Sequence, residues 1–281
     1  MQIVDSHVHY WELSKLYYPW LNDLPMINHT VMPDSIPQHG GDWTVEKIVF
    51  IQADCIPEQG ILEAEWVMSL ASYDPRIRGI VAFAPLEKPI EEVRAWLERL
   101  KTLPMVRGVR RLIQSEPLGF ATTPAFIESV QALAAYDYSF DLCVEEYQLA
   151  DVLTLVAACP SVQFVMDHLG KPDVANKHID TWREQITALA AMPNVICKLS
   201  GIITEADPLN WSPPDLQPYI DHVVAVFGAD RLMFGSDSPV FRLAGTTYAA
   251  WIDIARASVK SMSDTDQQKV FYDNAARFYR V

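Results

Sequence analysis

Two histidines close to the start of the chain have the spacing of a chemical site. His7 and His9 stand two residues apart in the segment IVDSHVHY. In an extended strand, residues at this spacing point to the same side, so both imidazoles reach one face. Two imidazoles on one face can ligate a metal ion or polarise a carbonyl group. Asp5 shares this face one layer deeper, where it either orients a histidine or, as we favour, supports the floor of the structure.

Two further polar residues follow apolar runs and could complete this site. Asp237 ends the run LMFGSD, where a carboxylate within hydrogen-bond reach of water can act as a general base. Helix capping is the competing role, but Ser238, directly before Pro239, can serve as that cap. His168 ends the run QFVMDHLG and could bind or protonate a substrate oxygen. The remaining histidines lie in loop or helix patterns and are interpreted as bystanders: His29, His39, His178 and His222.

The segment VRGVRRLIQ supplies candidates for holding a substrate. Adjacent strand residues take opposite faces, so either Arg110 or Arg111 points inward. An inward arginine is costly unless it meets a carboxylate or a polar substrate. We favour Arg110, which shares its face with Gln114, a weaker candidate for the same role. Gln52, near the end of an earlier apolar run, could donate a hydrogen bond to a substrate or simply be a polar residue of the rim.

These polar residues sit at the ends of eight short, β-branched runs that predict β-strands. The runs are residues 3–10, 47–54, 77–86, 106–114, 139–144, 163–170, 195–201 and 232–237. Between them, apolar residues recur at helical spacing, as in Val93, Trp96, Leu97 and Leu100. Strand and helix in repeated alternation predict an α/β protein with a closed (β/α)8 barrel, the TIM barrel, whose strand ends converge on one active site.

The chain length fits one such barrel domain over residues 1–281, since about 250 residues are typical. A doubly wound open sheet is the alternative fold, but no glycine-rich phosphate loop follows the first run. Two long connections, residues 11–43 and 202–218, follow the first and seventh runs, where a barrel carries its substrate loops.

Aromatic residues in these two loops could wall a pocket for a ring-shaped ligand: Trp11, Tyr17, Tyr18, Trp20 and Trp211. Packing the loop down is the more common role for any single one of them. Trp11 directly follows the histidine strand and is the candidate for a substrate contact.

The composition narrows the classes of partner. A formal charge of −14 disfavours nucleic acid and anionic membrane surfaces, because both require a basic face. No apolar stretch reaches the roughly 18–20 residues that span a bilayer, and no signal peptide is recognisable, so we expect a cytoplasmic protein. The cysteines are far apart in sequence and are expected to be buried free thiols: Cys55, Cys143, Cys159 and Cys197. A homo-oligomer is compatible with the sequence.

Six segments together give the chain a specific resemblance to the amidohydrolase superfamily. They are DSHVHYW (5–11), VRGVRRLIQ (106–114), DHLGKP (167–172), CKLSG (197–201), FGSDSPV (234–240) and DNAARFY (273–279). Within the superfamily, the chain is similar to the lactonases that act on sugar lactones such as fuconolactone and rhamnonolactone, and to 2-pyrone-4,6-dicarboxylate lactonase. The segments extend from the first strand to the C-terminus, so the resemblance covers essentially the whole chain.

The chain departs from many amidohydrolases in its metal ligands. Members that bind two metal ions use a lysine or glutamate from the fourth strand and a histidine from the fifth. Here the fourth run carries arginines and the fifth ends in LCVE (142–145), so we expect no binuclear site. His7, His9, His168 and Asp237 could hold one zinc ion, which nitrogen and oxygen ligands suit. The lactonase resemblance implies instead that no metal is required.

The residues and the resemblance together predict a carboxylic ester hydrolase that opens a small sugar-derived lactone. In this hypothesis, Asp237 takes a proton from water and the hydroxide attacks the lactone carbonyl. His7, His9 and His168 stabilise the oxyanion, and Arg110 holds the ring substituents. The alternatives are a zinc-dependent decarboxylase or a 2-pyrone-dicarboxylate-type lactonase of the same superfamily, and a barrel that binds a sugar acid without catalysis.

Overall fold

Eight parallel strands form the centre of the protein, seen in a computed structural model that describes residues 1–281. They are β1 (Gln2–Val8), β2 (Trp43–Ile51), β3 (Ile77–Phe83), β4 (Val106–Arg110), β5 (Ser139–Leu142), β6 (Phe164–Met166), β7 (Val195–Leu199) and β8 (Leu232–Phe234). Each strand pairs in parallel with the next one in the chain. The short strand His39–Gly40 adds an antiparallel pair to the edge of β2.

Backbone contacts between β1 and the segment after β8 close the sheet into a barrel. The His9 N–H donates to the Ser238 carbonyl at 2.8 Å, and the Asp237 N–H donates to the His7 carbonyl at 2.9 Å. Val8 also forms a parallel bridge with Ser238. This closure confirms the predicted (β/α)8 barrel over the open sheet, and it brings the ends of the first and eighth strands side by side.

Helices follow the strands; most of them cover the outside of the barrel, and the last one packs against its interior. They are α1 (Gly60–Leu70), α2 (Ile90–Lys101), α3 (Pro124–Ala132), α4 (Leu149–Ala158), α5 (Asp180–Ala190), α6 (Pro213–Phe227), α7 (Tyr248–Val259), α8 (Asp264–Gln268) and α9 (Asn274–Tyr279). In α2, the predicted apolar stripe is buried, with acidic residues in the first turn and basic residues in the last turn that complement the helix dipole. None of these helices combines the length and the apolar character needed to cross a membrane.

The connection after β1 departs from the regular strand–helix repeat. Before β2 begins, residues 11–43 contain no α-helix, only the 3₁₀ turns Pro19–Asp23 and Pro33–Ser35 and the short strand His39–Gly40. Each of these turns starts with a proline, which suits the first position of a turn but cannot donate a backbone hydrogen bond further along a helix. The barrel therefore carries a long loop over one side of its carboxyl-end face.

The C-terminal helix completes the interior of the barrel. Ala275 and Tyr279 of α9 pack with Val4, Val49 and other inward side chains of the strands. The two C-terminal helices are joined by the π-helical turn Lys269–Asp273. The chain thus uses its last residues as part of the core rather than as a free tail.

All eight strands end two to four residues before the ends of the apolar runs that predict them, and three of them illustrate this. The runs 106–114, 163–170 and 232–237 predict longer strands, but β4 stops at Arg110, β6 at Met166 and β8 at Phe234. After β6, Asp167–Gly170 forms a 3₁₀ turn. The difference arises because the chain must leave the sheet at the barrel edge, and apolar composition does not reveal where the backbone turns outward.

An irregularity in β1 corrects the prediction for Asp5. The register against β2 shifts directly after this residue, so the strict alternation of faces fails there. Val4 lines the interior, whereas Asp5 lies on the outer side, where Tyr248 of α7 donates its hydroxyl to the carboxylate at 2.8 Å. The Asp5 carboxylate also accepts the Ser236 N–H at 2.8 Å. Asp5 therefore ties β1 to the segment after β8 and does not lie beneath the histidines.

Candidate active site

A cavity of about 210 Å³ opens at the carboxyl ends of the strands. Sites for drug-sized ligands typically measure roughly 300–1,000 Å³, so this cavity suits a smaller molecule. Five of the residues predicted for the site line it: His9, Arg110, Gln114, His168 and Asp237. The other lining residues are Trp20, Ala53, Asp54, Leu112, Ser115, Cys143, Lys171, Thr204 and Val240.

The two histidines of the first strand meet Asp237 at the base of this cavity. The Nε2 atoms of His7 and His9 are 3.1 Å apart. The Oδ1 atom of Asp237 lies 3.4 Å from His9 Nε2 and 3.7 Å from His7 Nε2. Barrel closure produces this cluster, because the first and eighth strands become neighbours only when the sheet closes on itself.

A backbone carbonyl fixes the ring of His9. Its Nδ1 atom lies 2.8 Å from the Ile51 carbonyl oxygen, which can only accept, so we assign the ring proton to Nδ1. In the neutral ring, Nε2 then presents a lone pair toward Asp237. A nitrogen lone pair and a carboxylate that face each other at 3.4 Å require a proton or a cation between them.

His7 is completely buried beneath the cavity and contacts a row of charged side chains. Its Nδ1 atom is 3.3 Å from Asp167 Oδ1 and 3.2 Å from Lys198 Nζ. Lys198 also donates to Asp141 at 2.6 Å and lies 3.0 Å from Asp167. Burial lowers the pKa of the His7 imidazole well below its ordinary value, although the Asp167 carboxylate opposes this change. The ring is therefore neutral at neutral pH.

The position of His168 depends on two residues with left-handed backbone. His168 has φ +53° in the turn after β6, and its Nδ1 atom lies 2.9 Å from Ser200 Oγ. Gly201 has φ +59°, and a Cβ atom there would lie 2.2 Å from His168 Nδ1. Only glycine combines this backbone with this close approach. Burial lowers the pKa of His168 to about 4, so this ring is also neutral at neutral pH.

Asp237 is an ionised carboxylate in a strained backbone. Its φ is +58°, a conformation that non-glycine residues seldom adopt and that is typical of functional sites. Burial acts to raise its pKa, but His168, His9 and His7 together hold the pKa below its ordinary value. Asp237 is therefore ionised at neutral pH and can accept a proton.

Of the two neighbouring arginines, Arg110 points inward and Arg111 points outward. Arg110 donates through Nη1 to Asp167 at 3.1 Å and through Nη2 to the Gln52 carbonyl at 2.6 Å, while its Nε atom has no partner. Arg111 instead binds Glu87 at 2.9 Å on the outer side. The inward face favoured for Arg110 is therefore the one observed, and its buried Nε–H has no hydrogen-bond partner.

The two glutamines predicted near the substrate have different positions. Gln114 lines the cavity, and its side-chain oxygen accepts the Cys143 thiol at 3.3 Å. Gln52 is buried behind the lining residues, where its side-chain oxygen accepts the Asp54 N–H at 2.6 Å. Gln52 therefore supports the wall of the cavity through Asp54.

Trp11, the aromatic candidate for a substrate contact, does not line the cavity. Its indole N–H donates to the His29 carbonyl at 2.7 Å, and its ring packs against Tyr18 and Trp20. It is completely buried in the loop after β1. Trp20 of the same loop forms the cavity wall instead, because the loop folds back and places its later residues over the barrel.

Sequence reasoning missed the charged residues beneath the site. Lys198 lies within the apolar strand β7 and Asp141 within the apolar strand β5. A charge inside an apolar strand is costly unless it is paired, and this was the available signal for a buried ion pair. Asp54 and Lys171 also line the cavity. The available signal was their place, since Asp54 ends the run 47–54 and Lys171 lies in the segment DHLGKP.

The donor atoms at the base of the cavity fit a single divalent ion. Bonds of about 2.0–2.1 Å at tetrahedral angles place neighbouring zinc ligands about 3.3–3.4 Å apart. The three distances among His7 Nε2, His9 Nε2 and Asp237 Oδ1 are 3.1, 3.4 and 3.7 Å. Donor atoms of His7, His168 and Asp237 also lie within 4.8 Å of one another. Because the ring proton of His9 is assigned to Nδ1, its Nε2 lone pair points toward this set and can act as a ligand.

Comparisons with known proteins agree on one family. A family model described as amidohydrolase matches residues 4–281. An L-fucono-1,5-lactonase of Burkholderia ambifaria is 31% identical over 99% of this chain and 95% of its own length. An L-rhamnono-gamma-lactonase of Scheffersomyces stipitis is 24% identical over 100% of this chain and 99% of its own length. The crystal structure of an amidohydrolase from Burkholderia multivorans with bound zinc is 30% identical, with a TM-score of 0.88 and coverage of 100% of both chains.

Proposed function

Because this chain belongs to the amidohydrolase family, we propose that it is a hydrolase that opens a small sugar-derived lactone. The family match confirms the resemblance carried by the six sequence segments. Relatives described as lactonases align with nearly the whole chain, which supports the choice of reaction. The observation that carries the proposal is the meeting of an ionised carboxylate, Asp237, with three histidines at the base of one small cavity.

In the proposed reaction, Asp237 accepts a proton from water, and the hydroxide attacks the carbonyl carbon of the lactone. The ring C–O bond then breaks, and the proton returns from Asp237 to the departing ring oxygen. Both His168 and Arg110 line the cavity. We assign His168 as the donor to the oxyanion and Arg110 as the residue that holds the ring hydroxyls. His7 does not line the cavity, so its role is to hold His9 and Asp237 in place.

We assign to His7, His9, His168 and Asp237 the capacity to hold one divalent metal ion, such as zinc. When bound, such an ion would supply electrostatic stabilisation of the charge that develops on the carbonyl oxygen. The distances among the donor atoms and the lone pair of His9 support this assignment.

The proposal is tested first by acid release from a panel of lactones that includes L-fucono-1,5-lactone and L-rhamnono-gamma-lactone. Chelator-treated protein and zinc-supplemented protein are assayed side by side with a pH indicator. Activity restored only by zinc would support the metal assignment, and equal activity in both would contradict a metal requirement. Absence of acid release in both arms would overturn the lactonase proposal, and release of carbon dioxide from an aromatic or heterocyclic acid would favour the decarboxylase.

The variant Asp237→Asn tests the role of the general base. Asparagine keeps the size of the side chain and tolerates the positive φ, so we expect little change in thermal stability. Loss of the base is expected to lower kcat by roughly 100- to 10,000-fold. Asp221→Asn, which removes an exposed carboxylate on α6, is the control and should be as active as the wild type. Turnover of Asp237→Asn close to that of the control would contradict the mechanism.

A further inference from the structure

The charged groups around the cavity are not balanced. Arg110 and Lys171 line it, and Lys198 lies directly beneath, against His7. Twice as many carboxylates surround the same space: Asp54, Asp141, Asp167, Asp237, Glu145 and Glu205. A ligand in this cavity therefore experiences an excess of negative charge.

None of the three cations is free to bind an anion. Each has at least one carboxylate partner at short distance: Asp167 at 3.1 Å from Arg110, Asp141 at 2.6 Å from Lys198, and Glu145 and Glu205 at 3.2 and 3.5 Å from Lys171. Arg111 points to the outer side, where Glu87 and Glu116 bind it. The cations thus hold the cavity walls together, and their charge is already compensated.

Two of the carboxylates in the lining have no cationic partner. Asp237 contacts only histidines. Asp54 makes neither an ion pair nor a side-chain hydrogen bond, and it is the more exposed of the two. Its backbone is nevertheless fixed, with φ +60° and its N–H bound to Gln52 Oε1 at 2.6 Å. The chain therefore holds an uncompensated carboxylate at the cavity in an otherwise unfavourable backbone.

We propose that, in the metal-free protein, this uncompensated charge makes the cavity selective for uncharged lactones and expels the hydroxy-acid product, with Asp54 as the specificity-determining residue. The binding measurements below therefore use chelator-treated protein. The inference rests on the proposed lactone hydrolysis. Addition of water converts a neutral ring into a carboxylic acid, which releases its proton at neutral pH and becomes an anion. Because Asp54 is exposed and partly screened by solvent and salt, its carboxylate is expected to weaken the binding of an anion by roughly three- to tenfold.

The experiment compares the wild type with Asp54→Asn, which removes the charge while keeping the shape and tolerating the positive φ. Sodium L-fuconate, the product of one candidate substrate, is the probe, and its dissociation constant is measured by calorimetry. We expect fuconate to bind the variant roughly three- to tenfold more tightly. The affinity of the Asp54→Asn variant for the dianion 2-pyrone-4,6-dicarboxylate should increase by at least the same factor.

Salt dependence distinguishes repulsion from a change of shape. Because salt screens like charges, fuconate should bind the wild type more tightly as potassium chloride is raised from 50 to 500 mM. The Asp54→Asn variant should show a weaker dependence. Glu58→Gln is the matched control, since Glu58 lies four residues further along, is exposed, and faces a different surface groove. It carries the same change of charge and should behave as the wild type.

Equal fuconate affinity and equal salt dependence in the wild type and Asp54→Asn would overturn the inference. A variant that loses kcat/KM on the neutral lactone while its fuconate affinity is unchanged would also overturn it, because Asp54 would then bind a substrate hydroxyl. Binding is measured without turnover, so the outcome is separate from that of the lactonase assay. Tighter fuconate binding by the variant supports anion rejection even where no lactone is hydrolysed.

Discussion

At the scale of single residues, the candidate site is built on unusual backbone conformations at the ends of strands. His168, Asp237 and Asp54 have φ values of +53°, +58° and +60°. Such conformations cost free energy in non-glycine residues and persist only where the surrounding structure enforces them. Here they direct three polar side chains toward one cavity immediately after the chain leaves the sheet.

The variant Gly201→Ala tests this dependence at His168. A Cβ atom at this position would lie 2.2 Å from His168 Nδ1, so the imidazole must move. We expect kcat to fall by about 10- to 100-fold, since a displacement of about 1 Å at a reacting group can cost that much. Gly245→Ala is the matched control: Gly245 has φ +69° but no atom within 4 Å of the added Cβ.

The control separates backbone strain from displacement of the ring. Both variants should lose thermal stability, because alanine is strained at positive φ. Only Gly201→Ala should lose turnover on the lactone substrate. Equal activity of the two variants would contradict a role for Gly201 in positioning His168.

At the scale of secondary structure elements, neighbouring strands contribute a buried set of charges beneath the site. Lys198 of β7 lies between Asp141 of β5 and Asp167 of the turn after β6. Tyr279 of α9 donates its hydroxyl to the same Asp141 carboxylate at 2.8 Å. This set connects the C-terminal helix to His7 and to Arg110, so the packing of several elements supports the base of the cavity.

The variant Lys198→Met tests how far the fold depends on this set. The substitution leaves two buried carboxylates with less compensation, and breaking a buried ion pair typically costs about 3–5 kcal/mol. We expect a clear fall in the midpoint of thermal unfolding, measured by circular dichroism. The double variant Lys198→Met/Asp141→Asn removes one of the uncompensated charges. Its loss in free energy of unfolding should be smaller than the sum of the losses of the two single variants. Strictly additive losses would show that the two residues are not coupled.

At the scale of the whole molecule, buried acidic groups couple stability to pH. Glu63 of α1 is 1% exposed, and its carboxyl group accepts the Ala53 N–H at 3.2 Å in the cavity wall. Burial raises the pKa of Glu63 to about 8, against the effect of the Ala53 N–H. In the unfolded chain the same group loses its proton at a pKa of about 4.3. The folded state therefore holds an extra proton between these values.

This difference predicts that the free energy of unfolding falls as pH rises toward 8. The stabilisation is fully present below the unfolded pKa and is lost through the folded pKa, with a slope of at most about 1.4 kcal/mol per pH unit. Asp5, with a pKa raised by burial to about 6, and the buried neutral His7 and His168 also contribute near pH 6.5, so the comparison with a Glu63 variant assigns the slope. The side chain of Glu63→Gln cannot ionise, so the free energy of unfolding of this variant should depend less on pH. Glu65→Gln changes the exposed face of the same helix and should leave the pH dependence unchanged. Parallel curves for all three proteins in urea titrations would contradict the assignment.

The sequence predicted the barrel and the position of much of the candidate site because both follow regular rules. Eight apolar runs with polar ends imply a barrel, and barrel closure implies that His9, His168, Arg110 and Asp237 meet at one end. Alternation along a strand predicted that one of Arg110 and Arg111 points inward, and the favoured Arg110 is the one that does. The catalytic, substrate-binding and metal-binding roles of these residues stay predictions.

Only the tertiary structure decided the features that depend on irregular backbone and on contacts between distant segments. A shift of register in β1 turned Asp5 to the outer side, and folding of the loop after β1 placed Trp20 rather than Trp11 at the cavity. The sequence by itself determined which residues stand at strand ends, because the alternation of faces is a local property of the chain. Packing between segments far apart in sequence decides which loop residues reach the cavity. It also decides which charged residues of the cavity stay unpaired.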